Sequence, residues 1–352
     1  MKSIITLPGL IDMHVHLRTP GQAEKEDFTT GTMSALAGGF TTVIDMPNNS
    51  IPIMTQELLQ EKMQLASQGV VCDIGFYFGS LGENLSEFRE VTRNVFGLKL
   101  YLNETTGNFL IDKRMLAEIF ADWPEENGPI LVHAEDDAID AVIENVQKTR
   151  KKTHFCHISL KSDLEKIIHA KHKKLPVTCG VTPHHLFLTK KYGEELGPYA
   201  RMKPFLKSDE DVQFLWNNIS EIDVVESDHA PHTRAEKEGD QPPFGVPGLE
   251  TTLPLLLNAV YEEKMTLSDI RRLCHDGPKK ILDLPDQDSE VIVDMNVEYE
   301  IRNEDLFTKC SWTPFHRWRV RGKILEVKLN GEMVFEKGQI MTEKGSGKIL
   351  HR

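Results

Sequence analysis

The sequence predicts an α/β fold: a (β/α)8 TIM barrel with a small β appendage formed mainly by the C-terminal segment. Three observations point to it. Short apolar, β-branched runs recur eight times, with amphipathic segments between them, and such strand–helix alternation implies a parallel sheet. The eight units occupy about 250 residues, the length of a closed eight-stranded barrel. Beyond Pro285 the texture changes to short strands separated by turns.

In order, the predicted barrel strands are residues 10–16, 41–46, 72–78, 97–101, 130–134, 153–158, 177–181 and 222–227. Helical patterns lie among them at residues 28–37, 55–67, 136–148 and 162–173. A doubly wound open sheet is the alternative, but no G-x-G-x-x-G follows the first strand. Residues 240–248, rich in Pro and Gly, read as a long loop after the eighth strand. Further on, residues 291–294, 298–301, 319–329 and 331–335 read as strands, and Asn330-Gly331 is a hairpin signal. The few residues before Pro8 are a candidate additional strand. The expected division is a barrel over residues 7–285 and an appendage built from residues 1–6 and 286–352.

A length of 352 residues suffices for one large domain and a small accessory one. The net charge of −13, with no basic face in view, argues against a nucleic-acid partner. Five cysteines, an odd number with no CxxC pair, suit a reducing cytosol better than a disulfide framework. The apolar run near the N-terminus is too short for a signal peptide. No run reaches the roughly 20 apolar residues that cross a bilayer. A cytoplasmic protein that engages neither membrane nor nucleic acid is the expectation.

The chemistry lies at the strand ends, where a barrel of this kind builds its site. His14 and His16 flank Val15, and on a strand residues two apart share a face. Both imidazoles would aim at one point, as two ligands of a divalent metal do. Arg18 continues that face if the strand persists. Lys99 interrupts the fourth strand's apolar run and His133 the fifth, and Cys156-His157 and Ser227-Asp228-His229-Ala230-Pro231-His232 end the sixth and the eighth. A lone strand-end histidine is more often a hydrogen-bonded core residue, and Asp228 alone would serve as a helix cap. Lys99 resists a bland reading, because burying an unpaired ammonium costs several kcal/mol. Separate structural reasons for six residues on five strands are improbable together, so the joint pattern reads as a metal site. Imidazoles with a carboxylate suit zinc first, then iron or manganese. Two metals need a bridging anion, which a lysine supplies only once CO2 has added to its amine.

Several segments resemble dihydroorotase, of the cyclic amidohydrolase group. They are Asp12–Arg18, Met46-Pro47-Asn48, Gly97–Tyr101, Val132–Glu135 and Ser227–His232. The segments Leu98–Thr105, Pro183–Leu188, Pro247–Thr251 and Trp312–Phe315 add a likeness to the dihydroorotase domain of the animal multifunctional pyrimidine-synthesis protein. The resemblance runs over nearly the whole chain. It implies that His14, His16 and Asp228 bind one zinc, that His133 and His157 bind a second, and that N-carboxylated Lys99 bridges them. It also implies that Arg18 and Asn48 hold a substrate α-carboxylate with help from His232, that Thr105 belongs to a loop closing over substrate, and that Asp228 shuttles the proton. The implied reaction is the reversible cyclisation of N-carbamoyl-L-aspartate to L-dihydroorotate in de novo pyrimidine synthesis. A homodimer and association with aspartate transcarbamoylase are implied as well, together with a shorter N-terminal β segment than many bacterial members have.

Three departures accompany the resemblance. The animal domain carries a glutamate after the cysteine of strand seven, serving a third zinc, whereas this chain has Cys179-Gly180-Val181. Thr106 and Gly107 differ from the animal loop, which has Phe after the threonine. Lys203 stands where the animal domain has an arginine; it would assist a carboxylate without the planar fork, or be a solvated loop residue. Two other readings compete. A dihydropyrimidinase, hydantoinase or allantoinase shares the metal set but has little use for Arg18 and Asn48. A non-catalytic scaffold would have lost ligands, and all six positions are intact here.

Overall fold

A computed structural model describes residues 3–105 and 109–352. Fourteen strands follow one another in it. After β1 (Ile4–Pro8) come β2 (Leu10–Val15), β3 (Phe40–Asp45), β4 (Asp73–Phe76), β5 (Phe78–Gly79), β6 (Leu98–Tyr101) and β7 (Ile130–His133). Then follow β8 (Thr153–Phe155), β9 (Val177–Val181), β10 (Val224–Val225), β11 (Glu290–Glu300), β12 (Arg319–Leu329), β13 (Glu332–Glu336) and β14 (Gln339–Ile340).

Strands β2 to β10 pair in parallel sequence and form eight staves, because β4 and β5 are one stave interrupted at Tyr77. Across the break the Tyr77 N–H still donates to Asp45 O at 3.1 Å and the Phe78 N–H to Gly97 O at 3.0 Å. The ring closes where Val15 bridges His229 and the His16 N–H donates to His229 O at 2.8 Å. Apolar side chains fill the inside, among them Ile11, Met13, Ile44, Met46, Leu131 and Val224. A larger apolar layer, including Leu10, Val15, Leu17, Val43 and Leu36, packs between sheet and helices.

The helices begin where the sequence supplies caps. Helix Phe28–Ala37 is capped by the Asp27 carboxylate, which accepts from the N–H groups of Thr29 and Thr30, and helix Gln56–Ser67 by Thr55. Strands six and eight are shorter than expected. His157 and Asp228 adopt left-handed φ angles of 38° and 46°, and this turns the chain out of the sheet at those two residues.

The appendage is an antiparallel sheet in the order β1-β11-β12-β13-β14. The two strands expected at 291–294 and 298–301 are one, bent by a register shift between Asp294 and Glu298. Asn330 and Gly331, at φ of 53° and 81°, make the tight turn between β12 and β13, as a two-residue hairpin loop requires. The last residues return to the barrel: Ile74 on β4 receives from Leu350 N at 2.7 Å and donates to Lys348 O at 2.9 Å. No helix among the described residues is long and apolar enough to cross a membrane.

Candidate metal centre and carboxylate clamp

The carboxyl ends of the barrel strands bring nearly all the expected residues together, beginning with β2. There Asp12 pairs with Val43 and Val15 with Asp45, so three steps on β2 match two on β3. The bulge resets the alternation. Ile11 and Met13 point into the barrel below it, and His14 and His16 face the mouth above it, with Val15 and Leu17 outside. The strand does not persist to Arg18. That residue reaches the mouth through a left-handed φ of 61°, its preceding N–H anchored when Leu17 donates to Asp45 Oδ1 at 2.8 Å.

His14 Nδ1 lies 3.2 Å from Glu226 Oε2, and His16 Nδ1 lies 2.7 Å from Asn48 Oδ1. Both oxygens are acceptors, so each ring donates outward from Nδ1 and turns its Nε2 toward the mouth. These two Nε2 atoms stand 3.3 and 3.0 Å from the same oxygen, Asp228 Oδ1. Burial would raise the Asp228 carboxyl, but His14 and His16 outweigh it and hold the group ionised well below the usual carboxylate range. Burial also depresses His16 to about 4. Two imidazole nitrogens and a carboxylate oxygen thus converge on one point, an arrangement that a cation satisfies. Two ligands roughly 2.0–2.1 Å from a tetrahedral zinc stand about 3.3 Å apart, close to the separations here.

The second cluster is Lys99, His133 and His157. Lys99 lies inside β6, fully buried, and its Nζ donates to Cys156 Sγ at 3.1 Å. His133 closes β7, and its Nδ1 faces His157 Nε2 at 3.1 Å. The outer nitrogens, His133 Nε2 and His157 Nδ1, are buried without a hydrogen-bond partner. Burial, then the Lys99 charge, depresses His133 to about 3. Burial, then His133 and Lys99, holds His157 well below the usual imidazole value. Neutral rings with converging nitrogens are what metal ligation needs. The rings of His14 and His157 are 5.1 Å apart, so the two clusters adjoin.

Arg18 forms the opposite wall. Its Nε donates to Pro231 O and its Nη2 to His232 Nε2, each at 3.1 Å. Two of the five N–H donors of a guanidinium are thereby fixed, and the others remain for an anion. Trp312 braces this wall by donating from Nε1 to His232 O at 2.7 Å. Asn48 orients His16 with its oxygen, which leaves its amide N–H groups for a ligand. Lys203 stacks on Phe205, its Nζ 4.1 Å from the ring centre, near enough to the mouth for its charge to act on His133. Thr105 is half-buried, and the described residues show no contact from it to the cluster. Thr106 and Gly107 lie outside the described residues.

The sequence reading missed two groups. Glu226, fully buried two residues before Asp228, contacts His14 and accepts from the His157 N–H at 2.5 Å. An acid inside the apolar run of strand eight was the available signal. Lys62, also fully buried, pairs with Asp45 at 2.7 Å and donates to Met46 O at 2.7 Å and Asn49 Oδ1 at 2.9 Å. Its signal was a lysine on the buried stripe Leu59, Lys62, Ala66 of its helix. His185 is held locally by Thr182 Oγ1 at 2.7 Å and Pro204 O at 3.0 Å.

Comparison with known proteins places the sequence in a lineage. A model of the amidohydrolase family matches residues 5–191. The chain is 37% identical over 372 residues to a dihydroorotase of Pyrococcus furiosus, covering 100% of this chain and 86% of that protein. It is 41% identical over 347 residues to the multifunctional protein CAD of Squalus acanthias, covering 98% of this chain and 15% of that protein. The chain therefore spans only a small part of the multifunctional relatives it matches. Among solved structures, an L-hydantoinase (dihydropyrimidinase) from Arthrobacter aurescens superposes with a TM-score of 0.95 at 24% identity, over 99% of this chain and 89% of the other. The inactive dihydroorotase-like domain of a Chaetomium thermophilum CAD-like multifunctional protein gives a TM-score of 0.84 at 24% identity, over 98% of each chain. At that identity the structural likenesses speak for the barrel fold alone. With the sequence relatives they lead to one conclusion: this chain belongs to the amidohydrolase family, among its dihydroorotases.

Proposed function

We propose that the chain is a metal-dependent cyclic amidohydrolase that interconverts N-carbamoyl-L-aspartate and L-dihydroorotate in pyrimidine synthesis. The observation that carries the reading is the convergence of His14 Nε2, His16 Nε2 and Asp228 Oδ1 beside a buried arginine clamp. His14, His16 and Asp228 would hold one zinc, His133 and His157 a second, and N-carboxylated Lys99 would bridge them. Bound there, the ions would supply Lewis-acid polarisation of the ring amide and a water acidic enough to ionise at neutral pH.

The protein's own groups do the rest. Arg18, with His232 fixing its guanidinium, takes the α-carboxylate as a bidentate partner. The Asn48 amide and the Lys203 ammonium are the further donors on that side, and Thr105 is assigned to the loop that covers the substrate. Asp228 turns one oxygen to the imidazoles. Its other oxygen takes the proton of the attacking water and returns it to the departing ring nitrogen in the opening direction. Cyclisation runs the same transfers in reverse. The barrel of residues 7–285 is the catalytic unit of this reading, and residues 1–6 and 286–352 are its appendage. Pairing of two copies, association with aspartate transcarbamoylase and a cytoplasmic location belong to the same proposal, prompted by the family.

The fold likeness to hydantoinases raises the second reading, a cyclic amidase for uncharged rings. Purified protein assayed for zinc and for ring opening separates them. Two zinc ions per chain and preference for dihydroorotate are expected. Faster opening of hydantoin or dihydrouracil would replace the proposed substrate. A zinc-free protein inactive on all three would mark a non-catalytic relative.

A further inference from the structure

Glu226 has no role in the proton shuttle or the substrate clamp, yet it is fully buried at the barrel mouth. A carboxylate without solvent must be paired and hydrogen-bonded, or its burial is strongly unfavourable. Its partners are specific. Oε2 is 3.2 Å from His14 Nδ1 and 3.7 Å from His154 Nε2, and Oε1 accepts from the His157 main-chain N–H at 2.5 Å. One side chain on the eighth stave thus reaches the first stave and the sixth. It touches one member of each imidazole cluster.

Space for it comes from a neighbouring strand. A Cβ placed on Gly180 would fall 2.4 Å from Glu226 Oε1 and 2.7 Å from its Cδ. Glycine at 180 therefore opens the volume that the carboxylate fills.

We infer that Glu226 is a positioning residue that presets both imidazole clusters: it fixes the tautomer and direction of His14 and holds the left-handed turn at His157. Accepting from Nδ1 keeps His14 Nε2 bare and aimed at Asp228 Oδ1, the arrangement of a carboxylate–histidine–metal relay. Accepting from the His157 N–H anchors a residue whose φ of 38° is otherwise unfavourable. The inference rests on the metal centre proposed above and extends it to a residue outside the ligand set.

Glu226→Gln tests it. The amide is isosteric, but its NH2 group facing His14 Nδ1 would drive the ring proton onto Nε2 and remove the lone pair from the centre. Zinc per chain, the rate of zinc loss to a chelator, and the visible spectrum of the cobalt-substituted protein are the readouts, with metal-free melting curves as the control for folding. The expected result is affinity lower by about 10- to 100-fold, an altered cobalt spectrum, and metal-free melting like the parent protein. A second variant covers a folding failure. Glu226→Ala with Gly180→Glu returns a carboxylate to the same space from the adjacent strand, and it should retain zinc better than Glu226→Ala alone. Wild-type zinc affinity and cobalt spectrum in Glu226→Gln, or a relocated carboxylate with no benefit, overturns the role of Glu226 and leaves the metal centre standing. A parent protein that binds no zinc overturns both.

Discussion

The two clusters at the barrel mouth differ in charge. On the β2–β10 side, His14 and His16 face two ionised carboxylates, Asp228 and Glu226. On the β6–β8 side stand an ammonium and two imidazoles. Among the described residues none of their side chains has a hydrogen bond to a carboxylate. Glu135 approaches His133 only to 3.8 Å and also pairs with Lys207 at 3.4 Å. The Cys156 thiol, pushed up to about 12 by burial, stays protonated and adds no charge. One side is ready for a cation. The other needs an anion first. In the proposed reading, addition of CO2 to the Lys99 amine, with release of two protons, would turn that side chain into an anion with two oxygens between the clusters.

Removing Lys99 should break the comparison most severely. Lys99→Ala should lower turnover by about 10³-fold or more, at least the cost of losing one transition-state donor. Zinc should fall from two per chain toward one, because only the β2–β10 side retains its anion. A small carboxylate such as acetate, diffusing into the vacated space, should restore part of both. Near-normal turnover with two zinc ions would show that the β6–β8 side needs no anion from position 99.

Arg18→Met probes the clamp rather than the clusters. Two charge-assisted hydrogen bonds to the substrate carboxylate, at about 1.5 kcal/mol each or somewhat more, correspond to roughly 100-fold in affinity. KM for carbamoyl aspartate and dihydroorotate should rise by about that factor, with zinc content unchanged. Loss of zinc in parallel would make Arg18 a structural part of the metal centre.

Much of this was readable from local pattern. Alternation placed His14 and His16 on one face, and His133 and His157 stand at or just past a strand end, whereas Lys99 lies inside β6. What local pattern does not encode is register and phase. The bulge at residues 13–14 and the left-handed turn at Arg18 are needed to bring that face to the mouth, and neither has a signature in the residues themselves. The fit of Glu226 into the space above Gly180 depends on how β9 and β10 align, with Val224 opposite Gly180. No single strand specifies that alignment. Lys62 was readable as an anomaly on an apolar helix face, but its partners come from the end of β3 and the turn after it and become neighbours only in the folded barrel.

Lys62 permits the mildest test of the comparison, because it is a balanced pair that can be made unbalanced. Asp45 holds the Leu17 N–H beside Arg18 with one oxygen and Lys62 with the other, while Lys62 holds Met46 O and Asn49 beside Asn48. The pair thus ties together the two segments that carry the clamp. Lys62→Met leaves Asp45 buried and unpaired, and breaking such a pair costs about 3–5 kcal/mol of stability. The catalytic effect should be smaller: KM up by roughly 10-fold or less, the yield of one displaced hydrogen bond, with kcat and zinc content nearly unchanged. Adding Asp45→Asn removes the stranded charge but keeps an oxygen for the Leu17 N–H. The double variant should therefore melt higher than Lys62→Met and recover part of the KM. If thermal unfolding shows the single variant no less stable than the parent, this wall does not depend on internal neutralisation. The contrast with the uncompensated Lys99 side would then lose its physical basis.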